Sequence, residues 1–110
     1  MHKVLVIGAV NTTKHTLNQL IKYDFDIVGV LGQEPKDIQK ISGWADLNKM
    51  SKINNLNYKG FKKINDPENL SWAIKKKPDI IFAVGFSQLM SDNWLNMPTL
   101  GCIGFHPTKL

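Results

Sequence analysis

An imidazole at the end of an apolar run is the group in this chain with the most chemical potential. The segment GCIGFHPTKL, residues 101–110, carries His106 followed by Pro107. Proline holds the residue before it extended and cannot donate to a ladder. His106 is thereby presented at the lip of a sheet, with an ordinary pKa near neutrality that lets it hold or release a proton. The competing reading is a structural histidine. Neither His2 nor His15 stands at a metal-ligand spacing from His106 or Cys102, so no metal site is expected. Neither a Ser-His-Asp ordering nor a pair of carboxylates falls near it.

Two further stretches could meet a ligand. VGFSQLM, residues 84–90, has more apolar bulk than a connection needs. Gly85 permits tight backbone passage. Phe86, Leu89 and Met90 either pack into the core or form one wall of a flat pocket, in which Ser87, Gln88 and free backbone groups read the ligand's edge. GAVNTT, residues 8–13, follows an apolar run, where a phosphate loop would sit. Val10, Asn11 and Thr12 are candidate substrate contacts, because amides at a helix start can hold an anion. The G-x-G-x-x-G pattern is absent, which disfavours a dinucleotide site. Gly8 as a simple tight turn is the alternative.

The elements that position these groups follow from periodicity. Residues 3–8 (KVLVIG) form a continuous apolar run, suited to a strand covered on both faces. Residues 11–23 have Leu17, Leu20 and Ile21 at helical spacing, with Asn11 or Thr12 as N-cap. Residues 25–31 predict a second buried strand, and residues 32–43 a loop. A short helix over 44–53, with Leu47 and Met50 facing in, precedes an edge-type strand at 58–64. Asp66, Pro67 and Glu68 begin a helix to about Lys76. A fourth strand spans 79–85, a short helix starts at Ser91 and Asp92, and a fifth strand spans 101–105. Strand–helix–strand units of this kind close right-handed into parallel pairs. The expected fold is therefore α/β, an open three-layer Rossmann-like sheet, mostly parallel, with five strands in the order 3-2-1-4-5. Ligands in such sheets sit beyond the carboxyl ends of the strands.

Length and composition bound the rest. A chain of 110 residues makes one domain at most. It can bury about two-thirds of its unfolded surface. No apolar run approaches the roughly 20 residues of a membrane span, and the N-terminus lacks a signal-peptide pattern. A cytoplasmic protein without a membrane partner is expected. The single Cys102 excludes an internal disulfide and reads as a small buried hydrophobe. The net charge is +5, and all 14 basic residues are lysine. Readers of nucleic acid favour arginine for its planar fork, so the lysines read as a solvated surface with a weak anion-attracting field and nucleic acid is disfavoured as a partner.

Two motifs bring a family into view. DIIFAVGFSQLM (residues 79–90) and CIGFHPTKL (residues 102–110) together resemble the N-terminal catalytic domain of the folate-dependent formyltransferases, which act on methionyl-tRNA, glycinamide ribonucleotide or nucleotide-sugar amines. The resemblance covers the whole chain and implies a partial domain of this type over residues 1–110, ending at the fifth strand, with no linker or second domain. It implies 10-formyltetrahydrofolate as cosubstrate and no metal. A substrate amine attacks the formyl carbon and a tetrahedral oxyanion forms. His106 matches the histidine that stabilises the oxyanion and helps move the proton. Gly85, Phe86, Ser87, Gln88, Leu89 and Met90 match the loop that lines the pterin pocket. Gly104 stands where the family has an oxyanion-binding asparagine. The family's L-P-x-x-R-G loop and catalytic aspartate have no counterpart in these residues. The stretches ISGWADL and IGFHPTKL look most like the branch acting on nucleotide-linked amino sugars.

The resemblance leaves two readings. One is formyl transfer to a small-molecule amine, with a nucleotide-sugar as acceptor. The other is a non-catalytic remnant that folds and binds folate or a partner chain. An apolar fifth strand on an open edge predicts self-association.

Overall fold

The structure is a computed structural model, and it describes residues 1–104. His106, the first candidate of the sequence, lies outside the described residues, as do Phe105 and residues 107–110.

Five strands form one sheet in the order β3-β2-β1-β4-β5. They are β1 (Lys3–Gly8), β2 (Asp26–Gln33), β3 (Tyr58–Phe61), β4 (Ile80–Ala83) and β5 (Gly101–Gly104). All four pairings are parallel, so "mostly parallel" is sharpened to wholly parallel. The helices are α1 (Asn11–Lys22), α2 (Leu47–Ile53), α3 (Pro67–Lys76) and α4 (Asp92–Asn96). None is long and apolar enough to cross a membrane.

The central strand shows why the sheet needs three layers. Successive side chains of a strand point to opposite faces. Val4 and Val6 enter one core, with Leu17 and Leu20 of α1 and Leu47 and Met50 of α2. Leu5 and Ile7 enter the other, with Ala73 of α3 and Trp94 of α4. Each of these four β1 side chains is fully buried, a stabilisation of about 1.5–3 kcal/mol apiece.

Boundaries shift where tertiary contacts outvote local pattern. β2 runs on through Gly32 and Gln33, expected in a loop, because they pair with Gly60 and Phe61 of β3. Within that loop, residues Ile38–Lys40 form a single 3₁₀ turn capped by the Asp37 carboxylate. α2 starts three residues later than expected, after Asp46, whose carboxylate accepts from the Lys49 amide at 3.0 Å. β3 ends at Phe61 rather than at Ile64, since the Ile64 amide donates to the Gln88 side chain at 2.7 Å instead of to a ladder. β4 is shorter than expected, Ile80–Ala83. The N-cap of α1 is Val10, not Asn11 or Thr12. The Asn11 amide donates to the Gly43 carbonyl at 3.0 Å, and the Thr13 hydroxyl serves the turn in their place.

The amino edge of the sheet is bolted by one acid. The Asp79 carboxylate accepts from the Lys3 amide at 2.8 Å, and its own amide donates to the Lys3 carbonyl at 2.8 Å. The Asp79 carbonyl accepts from the Leu100 amide at 2.8 Å, which starts β5 in register.

Candidate functional site

Strand order reverses its sense at β1, which has β2 on one side and β4 on the other. The loops leaving β1 and β4 must therefore part to opposite faces, and the crevice between them is where such sheets bind ligands.

One buried hydroxyl ties the two loops together. Thr13 Oγ1 donates to the Val84 carbonyl at 2.6 Å and accepts from the Ala9 amide at 3.1 Å. The Ala9 amide also donates to the Gly85 carbonyl at 3.0 Å. The junction is so close that only glycine fits beside it. A Cβ on Gly8 would overlap the Thr13 hydroxyl and the Val84 carbonyl, and Gly85 has φ of 74° with the same hydroxyl against it. Thr13 is fully buried and, though it ends the stretch 8–13, is not among the contacts expected from it. Its only signal is a hydroxyl at the third helical position after a glycine turn.

Two clefts open beside this junction. The first, about 310 Å³, is lined by Ala9, Val10, Gln33, Ile41, Gly85, Phe86 and Ser87. The second, about 390 Å³, is lined by Asn11, Lys14, Trp44, Ala45, Asp46, Lys49, Met50 and Ile53. Val10 and Trp44 pair as an isolated antiparallel bridge, so the wall of one cleft is joined to the wall of the other. The Trp44 indole is locked by donating to the Gln33 carbonyl at 2.7 Å, and the Ala45 amide donates to the Ala9 carbonyl at 2.9 Å.

The structure brings Val10, Gly85, Phe86 and Ser87 to the first cleft and places Asn11 on the second. Thr12 is exposed on α1 and lines neither. Phe86 satisfies both of its readings. It packs in the core, edge-on to Phe61 with ring centres 6.1 Å apart, and one part of it faces the cleft. Met90 is core alone, and Leu89 is exposed. Gln88 turns away: its amide side chain accepts from the Ile64 amide at 2.7 Å and donates to the Lys62 carbonyl at 2.6 Å. Asn65 completes this anchor, donating to the Leu89 carbonyl at 2.8 Å and accepting from the Ser91 amide at 2.9 Å. The distal half of the loop is thus clamped to the connection after β3, and the proximal half faces the cleft.

Gly104 pairs with Ala83 at the end of β4. A Cβ there would overlap the Ala83 carbonyl, which is backbone and cannot swing aside. The glycine is thus a packing requirement of β5 as it docks. Cys102, free and half-buried, rests its thiol 3.7 Å from the Trp94 carbonyl, and burial pushes its pKa up. At the far edge, Tyr58 donates to the Glu34 carboxylate at 2.6 Å. Burial first, and this hydrogen bond second, raise the phenol's pKa well above its ordinary 10.0.

Fold and crevice together define a Rossmann-like α/β domain with an apolar cleft at the switch point. Comparison with known proteins shows what this chain is similar to. No protein-family model matches the chain. It is 28% identical over 110 residues to the methionyl-tRNA formyltransferase of Clostridioides difficile, covering 98% of this chain and 36% of that protein. To the methionyl-tRNA formyltransferase of Thermotoga maritima it is 24% identical, with 98% and 35% covered. Its backbone matches the crystal structure of phosphoribosylglycinamide formyltransferase from Streptococcus pneumoniae with a TM-score of 0.65 at 12% identity, over 94% of this chain and 56% of that one. The chain is homologous to the N-terminal domain of the formyltransferases, and it spans about a third of the length of the curated relatives it matches.

Proposed function

We propose that this domain binds 10-formyltetrahydrofolate and serves formyl transfer to a substrate amine, that of a nucleotide-linked amino sugar. One observation supports this above the others: the turn after β1 and the loop after β4 converge on a single cleft. They are the segments assigned from sequence to acceptor and formyl donor.

The lining fits the donor's flat heteroaromatic ring. Ala9, Val10, Ile41 and Phe86 supply apolar walls, and Gln33 and Ser87 supply polar groups at the rim. The donor, when bound, supplies the formyl carbon that the amine attacks. Phe86 and Val10 exclude water from that carbon, and Thr13 holds the two walls at fixed separation. His106, by the family resemblance, would hold and move the proton. Donors preset around a developing oxyanion lower such barriers by several kcal/mol.

The test has two parts. Titration of the chain with a stable reduced folate, followed by NMR, should shift the Phe86 and Ser87 resonances; no shift there ends the folate reading. Formyl transfer is then measured with three acceptors: a nucleotide-linked amino sugar, methionyl-tRNA and phosphoribosylglycinamide. Formylation of methionyl-tRNA alone would replace the sugar acceptor. His106→Ala should lower any transfer by about 100- to 10,000-fold.

Gly104 favours a second reading, a domain that binds folate without catalysis. The position lacks a side-chain donor, and its neighbourhood leaves no room for one. Ile103 beside it is 51% exposed on the last strand of the sheet, a surface suited to a partner chain. Folate binding without transfer, together with dimers in sedimentation, would select this reading.

A further inference from the structure

The second cleft has a different chemistry from the first. Lys14 of α1 and Lys49 of α2 both line it, and their ammonium groups make no hydrogen bond or ion pair among the described residues. The single ion pair there lies at the other end of the molecule, between His2 and Asp79 at 3.9 Å. One acid, Asp46, shares the cleft. Its carboxylate is engaged by the Lys49 backbone amide at 3.0 Å, as the cap of α2. Two cations therefore face one concavity with its only carboxylate already in use as a helix cap. Asn11 adds an amide side chain to the lining. Trp44 adds an aromatic surface that cannot rotate away, because its indole is held by the Gln33 carbonyl.

We infer that this cleft is an anion subsite for the phosphate or diphosphate group of a small ligand, held by Lys14 and Lys49. A volume of about 390 Å³ matches a small-molecule site rather than an extended nucleic-acid groove. The absence of arginine from the chain agrees with that, since lysine binds phosphate as a point charge without reading bases. The assignment deepens the function proposed above, and rests on it only for the identity of the ligand, the phosphate-bearing part of the acceptor. The Val10–Trp44 bridge then gives the geometry a purpose. It joins the wall of a charged anchoring cleft to the wall of the apolar cleft in which the amine would meet the formyl group.

The test uses the chain as it stands, with inorganic pyrophosphate as probe and phosphate as the weaker comparison. Two-dimensional NMR of the parent chain should show shifts at Asn11, Lys14, Trp44 and Lys49, and none at Phe86 or Ser87. Lys14→Gln and Lys49→Gln should each weaken binding roughly tenfold. The paired variant Lys40→Gln with Lys75→Gln removes the same net charge as Lys14→Gln combined with Lys49→Gln, and should bind as the parent does. Equal weakening by both pairs, or shifts spread over all the lysines, would mean that the overall positive field attracts the anion, and would overturn the subsite. The parent-chain map decides the matter even if a variant folds poorly. Loss of folate binding with pyrophosphate binding intact would fail the proposed function and spare this subsite; the reverse result would do the opposite.

Discussion

The two clefts beside the β1 turn are built from neighbouring residues and differ in every other respect. The first contains no charged side chain, and its walls come from strand ends and their loops. The second contains three charged groups and is framed by two helices and the turn before α2. Val10 belongs to one and Asn11 to the other. Successive residues part here because the chain changes from strand to helix at Val10, so adjacent side chains leave in different directions. A short turn can in this way join an apolar cleft to a charged one at almost no cost in chain length.

That contrast can be broken from the first cleft outward. Phe86→Ala removes both a cleft wall and core packing against Phe61. It should cost about 3 kcal/mol in denaturant unfolding and abolish folate binding, while pyrophosphate still binds the second cleft. Parallel loss of both ligands would mean that the clefts are one site. Gly104→Asn introduces the family's donor where a Cβ overlaps the Ala83 carbonyl. We expect a cost of about 2 kcal/mol, faster hydrogen exchange in β5 and no gain in transfer. A variant that is both stable and faster would show that the strand has room after all.

Thr13→Val leaves shape nearly unchanged and removes the hydrogen bonds that join the two loops. A loss of about 1 kcal/mol should appear, with Thr13→Ser recovering most of it. The smallest expected effect lies away from both clefts. Tyr58 keeps its proton in the fold at pH values where the unfolded phenol, with its ordinary pKa of 10.0, has lost it. The folded state then binds more protons, so stability falls as pH rises above about 10. Tyr58→Phe should flatten that alkaline decline, as read from melting temperature against pH, and leave both ligand affinities unchanged.

The legibility of this molecule followed the range of the forces involved. β1 was readable to its boundaries because an unbroken apolar run admits few alternatives. α3 was readable because Asp66 and Pro67 form a local start signal, and the Lys77 cap with φ of 51° ends it before Pro78. The loop after β4 was half legible. Its apolar bulk marked residues 84–90 as unusual, but nothing local divides Phe86, which meets the cleft, from Gln88, which is held by the Ile64 amide across the fold. The N-cap of α1 was missed for the same reason, since the Asn11 amide is claimed by Gly43 in a distant turn.

Periodicity and local signals by themselves determined the layered α/β class and the segments that reach the carboxyl edge. Both are short-range effects: alternation of side chains along a strand, and the right-handed return of a helix over the sheet. Only the tertiary structure decided that one buried hydroxyl joins the two loops, that Gly104 has no space for a side chain, and that two unpaired lysines from different helices share a cleft. Those facts depend on ångström-scale contacts between residues far apart in the chain, and such distances exist only once the whole sheet has closed.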